Sequence, residues 1–383
     1  MVDFTLTEKD KQIIQIQLED EQTVLKYARY YDQNHDELQP EELPEAKGRP
    51  NPYYMLQDSP DGTSGAVLTE AFLHLHTPDV RMRITRSGLG DKIVNYGGTP
   101  EQKARWGNKT LSIAITEPGA GSDPMMITGK ARYDVATAEW ILNGEKIYCS
   151  QFGMADGAVV MLRGEPDANN IRPFLSFVVE KGTKGLQVLG QVDKMGCRNW
   201  DTADFVLQDC RVPSINKLDV DFGGALQVFN GTRPMVAAMG LKYARSIMEA
   251  AVAKLEEQGQ RIDYATNTNG RSAVQEKLLS MEAEYEAATM VILHSKWTEQ
   301  NQGNASKLTM KEAAEAKAIG GRASRRISQE ALALLGPAAL SEEAFPEKWF
   351  RDTRIFDIFE GPGDICRLIV ARHILGYSKK ELS

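Results

Sequence analysis

Two stretches of this 383-residue sequence carry side chains whose types and spacing could do chemistry. The first is Thr116-Glu117-Pro118-Gly119-Ala120-Gly121-Ser122-Asp123, directly after the apolar run at 111–115. Glycines on both sides of an alanine let backbone approach a planar or phosphorylated ligand closely, and Ser122 and Asp123 add short polar groups. An ordinary tight turn would read the same way. No Gly-Lys-Ser/Thr follows, so this is not a Walker loop. No helical pattern follows either, as a dinucleotide-binding G-x-G-x-x-G would require. The second stretch is Ile355-Phe356-Asp357-Ile358-Phe359-Glu360-Gly361, an apolar run that ends in a carboxylate and a glycine turn. A carboxylate flanked by Ile358 and Phe359 loses water, and desolvation lifts its pKa toward that of a working general base. A surface glutamate before a turn is the plainer alternative. The histidines offer less. His74 and His76 face different sides of a helical stretch, so no metal centre is expected.

Three consecutive blocks must position these stretches. Residues 1–110 read as helical. Thr7 is a natural N-cap for an apolar-periodic helix over 5–18, and 64–77 and 100–106 also fit helical spacing. Prolines between 40 and 60 break the intervening chain. Over 111–217 the period changes. Short apolar or alternating runs at 111–116, 139–144, 145–150, 157–162, 174–180 and 203–213 predict strands, and Asn143-Gly144 predicts a hairpin turn. With no helical pattern between them, they read as an antiparallel barrel or sandwich. Residues 218–383 return to helices, over 235–258, 272–299, 308–335 and 364–375, which suggests a four-helix bundle. The charged stretch after Gly336 reads as a solvated loop.

Composition bounds the function. A length of 383 residues predicts two to three domains. Forty-five basic and 53 acidic residues leave a net charge of −8 with no basic block, a poor match to nucleic acid or an anionic membrane. No apolar run approaches the ~20 residues that a membrane-spanning helix needs. Four cysteines without a C-x-x-C pair predict free thiols in a reducing compartment. The charged N-terminus lacks the apolar segment of a secretory signal, so a cytoplasmic location is expected.

The string at 116–123 resembles the flavin-binding signature of the acyl-CoA dehydrogenase family, and the likeness continues in order along the chain. Leu89-Gly90-Asp91-Lys92-Ile93 and Tyr96–Lys103 resemble the family's lead-in. Ile141–Lys146 resembles its I-x-N-G-x-K segment. Lys194-Met195-Gly196, Arg198 and Thr202 resemble its K-M-G-x-R-x-S-x-T stretch, and Val212-Pro213 the V-P pair beyond it. Glu360-Gly361 and Arg367–Arg372 resemble its C-terminal signature. The resemblance implies an N-terminal helical domain, a middle antiparallel β-barrel and a C-terminal four-helix bundle, with FAD between barrel and bundle. It implies α,β-dehydrogenation of an acyl-CoA thioester to the trans-2-enoyl-CoA. Glu360 would remove the α-proton, flavin N5 would accept the β-hydride, and an electron-transferring flavoprotein would take the electrons. That is the chemistry of fatty-acid β-oxidation and lipid metabolism. A minority of the family carry the base on an earlier helix, at a position that is Thr232 here. The flavin ring would meet Ile115, Thr116, Tyr148 and Ser150. Gln275 would reach the FAD of a neighbouring subunit. Ser122, Arg233 and Gly361 would lie on the substrate side, with Arg233 facing CoA.

The departures from the family pattern cluster on the groups that one subunit lends to its neighbour's FAD. The arginine of the R-x-x-F-G turn falls on Glu257, and a longer linker, 258–271, comes after it. The Q-x-L-G-G-x-G turn reads Ala333–Ala339 and keeps only Gly336 of its three glycines. Pro362 replaces the threonine after the base, and Trp200 replaces a serine in the middle block. Arg261 or Arg271 could replace the lost phosphate contacts. Alternatively, a related subunit in a hetero-oligomer could supply them in place of the usual homodimer or tetramer. A third possibility is a structural subunit that binds flavin weakly.

Overall fold

The computed structural model describes residues 4–37, 88–260, 262, 263, 265, 267–378 and 381. The helix expected over 64–77, His74, His76, the proline-broken segment and Arg261 lie outside the described residues. Helix α1 (Glu8–Gln33) begins where Thr7 predicts it. The Thr7 hydroxyl accepts from the Asp10 N–H at 3.2 Å, and the Asp10 carboxylate accepts from the Thr7 N–H at 2.9 Å. This reciprocal cap satisfies donors that a helix start otherwise leaves open. Helices α2 (Leu89–Gly97) and α3 (Pro100–Trp106) come next, and Thr99 and Gln102 cap α3 in the same way.

The middle block contains β1 (Leu111–Ala114), β2 (Lys130–Asp134), β3 (Glu139–Ser150), β4 (Gly157–Arg163), β5 (Phe174–Glu180), β6 (Leu186–Gln191), β7 (Thr202–Pro213) and β8 (Lys217–Leu218). Their order is β6-β7-β3-β2-β4-β5-β8, with β1 beside β4. The expected antiparallel barrel is therefore corrected to an open, mixed sheet. β1 runs parallel to β4. The path ends at β6 on one side and at the two-residue β8 on the other, too short a partner to close a ring. β2 meets β4 at one residue pair, Lys130 opposite Arg163. The halves joined there share one core, in which Leu142, Phe205 and Leu207 meet Val160, Leu162 and Phe177. On the outer side of β4 and β5, Val159, Met161 and Val178 pack with Ile93 and Trp106 of α2 and α3. Burial on both faces explains why these strands are continuous apolar runs rather than alternating ones.

Asn143-Gly144 is not a hairpin turn. β3 runs unbroken through it, with a register shift against β7 between Leu142 and Gly144, the mark of a bulge. Asn143 and Asp209 exchange side-chain and backbone hydrogen bonds across the strands. A Cβ at position 144 would stand 2.9 Å from the Gly129 Cα, so the glycine serves a close backbone approach. The same dipeptide signals either feature, and the long partner strand decides between them.

The third block holds α4 (Phe222–Glu257), α5 (Ala273–Gln302), α6 (Lys307–Leu335), α7 (Phe345–Thr353) and α8 (Gly363–Leu375). Helix α4 begins well before the expected position 235, capped by Asp221, and carries Pro234 in its interior. Leu241 and Ile247 of α4, Leu278 and Ile292 of α5 and Ile327 of α6 form the core. Helix α8 leans on α6, where Ala314 and Ala318 receive Cys366. α7 corrects the solvated loop expected after Gly336. Its Lys348 and Asp352 are wholly buried and pair with each other at 2.6 Å. Charges that satisfy one another inside the protein look, in sequence, like a solvated surface. All four cysteines are buried free thiols. Among the described residues no helix is long and apolar enough to cross a membrane.

Candidate active site

The glycine-rich turn leaves β1 and is pinned from behind. The Lys146 ammonium, wholly buried, donates to the Ile115 carbonyl at 3.0 Å and to Glu117 Oε1 at 2.7 Å. Glu117 also accepts from the backbone N–H groups of Thr128, at 2.6 Å, and Gly129, at 3.1 Å. Burial raises the Glu117 pKa, but the Lys146 bond and these N–H groups outweigh it and hold the carboxyl below its usual range. The Thr116 carbonyl accepts from the Ile147 N–H at 3.0 Å, tying the turn to β3. The front of the turn is open. A Cβ on Gly119 or Gly121 would meet nothing within 4 Å, and Ser122 is exposed. Lys146 and Glu117 were visible in sequence only as members of longer motifs, and their pairing depends on the turn folding back over β3.

Beside this turn, Tyr148 is 60% exposed with φ at 57°, and its N–H donates to the Asp204 carboxylate at 2.8 Å. A large aromatic held outward in left-handed backbone is rare, and such strain concentrates at ligand sites. Ser150 is exposed, and its carbonyl accepts from Ser112.

Glu360 stands in the connection between a 3-10 turn at Ile355–Asp357 and α8. Its φ is 57° and that of Gly361 is 97°, two left-handed residues in a row. Only the second is a glycine, so the turn holds Glu360 at a cost of about 1 kcal/mol. Two neighbours on α4 fix it. The Thr232 hydroxyl donates to Glu360 Oε2 at 2.7 Å, and Arg233 Nε donates to the Glu360 carbonyl at 3.0 Å. Burial drives the Glu360 pKa up. The Thr232 bond and the charges of Arg233, Lys317 and Lys92 oppose it, and the net shift is upward. Arg233, expected on the CoA side, is itself buried with its guanidinium on the Glu360 turn. In sequence, Thr232 stands out only as the position at which a minority of the family carry the base.

Trp200 links the sheet to this turn. Its ring packs edge-on against Phe356 and Phe359, at 5.9 and 6.1 Å. The next residue, Asp201, accepts from the Gln151 N–H at 2.7 Å. The chain after Ser150 is thus connected to the residues that precede Glu360. Gln275 is not drawn in. Its side chain accepts from the Ser272 N–H at 2.8 Å in the cap of α5. Glu257 pairs with Lys254 at 2.9 Å on the surface, and Arg271 pairs with Glu276.

Comparison with known proteins covers both the sheet and the bundle. The family model for the acyl-CoA dehydrogenase middle domain matches residues 112–210, and that for the C-terminal domain matches 222–375. The human mitochondrial short-chain specific acyl-CoA dehydrogenase is 30% identical over 305 residues, covering 77% of this chain and 71% of that protein. Butyryl-CoA dehydrogenase from Megasphaera elsdenii shares the fold with a TM-score of 0.81 at 22% identity, over 98% of this chain and 100% of its own. A glutaryl-CoA dehydrogenase from Mycobacterium smegmatis, solved in complex with FADH2, has a TM-score of 0.78 at 20% identity, over 97% and 96% of the two chains. Glu360 at the end of its apolar run and the pinned glycine turn after β1 are thus features of a chain that belongs to the acyl-CoA dehydrogenase family of flavoprotein oxidoreductases.

Proposed function

We propose that this chain binds FAD and oxidises the Cα–Cβ bond of an acyl-CoA thioester, with Glu360 as the base. The observation that carries the reading is the Glu360 carboxyl, desolvated, hydrogen-bonded by Thr232 and lifted above the ordinary carboxylate range. FAD, when bound, supplies the acceptor for the hydride leaving the β-carbon. Everything else is work for the chain. Glu360 takes the α-proton onto a carboxylate oxygen. By resemblance to the family, its own backbone N–H is assigned to the thioester oxygen, where charge develops as the proton leaves. Arg233 holds the next peptide, between Glu360 and Gly361, through the Glu360 carbonyl. The open front of the 116–122 turn, the outward Tyr148 and the exposed Ser150 suit the ring end of a flavin. Ser122 and Gly361 line the substrate side, and electrons pass to an electron-transferring flavoprotein.

The test is anaerobic bleaching of the flavin by a panel of acyl-CoAs. Wild-type protein bleaches, and Glu360→Gln, which keeps the shape but cannot take a proton, does not. Retained bleaching in that variant overturns the assignment.

A second reading concerns the assembly, and it is favoured by the adenosine half of the site. Gln275 is engaged in its own helix cap, Glu257 stands where the family has arginine, and Pro337 lies in a 3-10 turn at Gly336–Leu340. An acidic side chain beside a pyrophosphate repels it. On this reading a related but different subunit completes the FAD site. The chain purified alone then carries little flavin, whereas a fully yellow homo-oligomer sinks the idea.

A further inference from the structure

Lys317 is wholly buried on α6, and its Nζ has no hydrogen-bond partner among the described residues. Burial pushes the Lys317 pKa down, the acidic groups facing it pull it back up, and the net shift is downward. One turn further along α6, Gly321 lies so close to the base loop that a Cβ there would stand 2.9 Å from Asp357 Oδ1. On either side of Lys317 in α6, Ala314 and Ala318 pack on Cys366, whose thiol donates to the Gly361 carbonyl at 3.4 Å. Lys317 is therefore enclosed between α6, α8 and the turn at 357–361. The groups facing it are the Cys366 thiol, Asp357 and Glu360, with the like charge of Arg233 from α4. Asp357 Oδ1 is itself buried without a hydrogen bond, and its other oxygen is 3.9 Å from Arg325.

We propose that Lys317 is a positioning residue for Glu360, a buried cation beneath the turn that supports the ionised form of the base. Lys317 has no exposed surface, so on this proposal it acts through the carboxylate. The groups facing Glu360 are Thr232 and Arg233 from α4, Lys317 from α6 and Lys92 from α2. Thr232 and Arg233 also hold the base by hydrogen bonds. Lys317 makes no such bond, so its removal deletes charge and leaves the hydrogen-bond scaffold in place. An opposite charge near a carboxylate lowers its pKa by about one to three units. A mere counter-ion for Asp357 would serve folding and leave Glu360 unmoved.

The inference rests on Glu360 being the base, and its test is read without substrate so that the two can fail separately. Full-length protein carrying ¹³C-labelled glutamate carboxyls is titrated by NMR, with Glu360 assigned by its absence in Glu360→Gln. In Lys317→Met the Glu360 midpoint rises by about one unit. In Lys317→Arg it returns to the wild-type value. In the flavin-loaded enzyme the acid limb of kcat/KM moves up by the same amount while KM at high pH holds. An unmoved Glu360 midpoint in a folded Lys317→Met or Lys317→Gln protein overturns the proposal. The wild type supplies a check that needs no variant. ¹⁵N-lysine spectra must find Lys317 charged across the pH range in which Glu360 titrates, and a neutral Lys317 there overturns it equally. A Glu360 shift in Lys317→Met with acyl-CoA oxidation intact in Glu360→Gln would keep the electrostatic link and remove the base assignment.

Discussion

The Thr232 hydroxyl lies 2.7 Å from Glu360 Oε2, although 128 residues separate the two in sequence. It is the one side-chain hydrogen bond on that carboxylate among the described residues. A carboxylate must be ionised to take a proton and burial opposes ionisation, so with Glu360 as the proposed base this bond has a direct pH consequence.

In Thr232→Val the charge-assisted bond is lost, worth about 1.5–3 kcal/mol. That corresponds to a rise of roughly one to two units in the Glu360 pKa. A higher pKa leaves less carboxylate at any pH below it. The expected result is a kcat/KM at least tenfold lower on the acid side, recovering as pH rises. Thr232→Ser, which keeps the hydroxyl, stays near wild type. A pH profile of acyl-CoA oxidation for the three proteins decides, and an unshifted acid limb in Thr232→Val refutes the role.

Trp200 gives the second prediction. It is 7% exposed and edge-on to Phe356 and Phe359, the aromatics just before Glu360. Trp200→Ala opens a cavity and costs about 3–5 kcal/mol in urea unfolding. Because the cavity lies under the base turn, kcat falls as well, and Trp200→Phe restores most of both. A stability loss with unchanged kcat would show that Trp200 packs the core without aiming Glu360.

These two residues show what was legible in sequence. Glu360 on its own reads as a surface glutamate before a turn, and the resemblance in register gave it a role. Thr232 and Arg233 were harder to place, because Pro234 reads as a helix boundary. The helix runs straight through it, and only then do 232 and 233 sit on one element facing the turn. Strands β1, β4, β5 and β7 and helices α3, α5, α6 and α8 match their periodicity to within a few residues. By contrast, α1 runs far beyond 18, α4 begins well before 235, and β2, β6 and β8 fall outside the predicted runs. The barrel did not survive, because pairing between strands distant in sequence leaves no local trace. α7 was lost because Lys348 and Asp352 neutralise each other in the interior.

A third prediction concerns the joint between α1 and α7. Arg351 grips both oxygens of Asp32, at 3.0 and 2.6 Å. Burial alone would raise the Asp32 pKa, but the Arg351 bond and the charges of Lys348, Arg351 and Arg29 outweigh it and hold the carboxyl below its usual range. An acid whose folded pKa is depressed contributes stability above its unfolded pKa and loses it as pH falls through the folded value. Arg351→Met removes two hydrogen bonds from a buried carboxylate that Arg29 still meets at 3.1 Å, and costs about 1.5–3 kcal/mol at neutral pH. Hydrogen exchange should then report α1 amides opening first. Asp32→Asn should flatten the acid end of the stability curve, and a wild-type slope in that variant would exclude Asp32 as its source.

Asp91 carries the opposite sign. It is buried at the start of α2, where its carboxylate accepts from the Gly88 N–H. Burial outweighs the hydrogen bonds from the backbone N–H groups of Gly88, Asp91 and Leu111 and the charge of Lys92, and lifts its pKa to about 6 from 3.8. An acid with a raised folded pKa holds its proton in the folded state after the unfolded state has released it. Stability is therefore greatest below the unfolded value and declines as pH rises through the folded one. The same helix carries Lys92, one of the charges that face Glu360, so loosening its first turn reaches the base. Asp91→Asn keeps an oxygen acceptor for the cap and removes the titration. Urea midpoints for wild type should fall between about pH 4 and about pH 6, while those of Asp91→Asn stay flatter over that window. Parallel curves for the two proteins would locate the titrating group elsewhere.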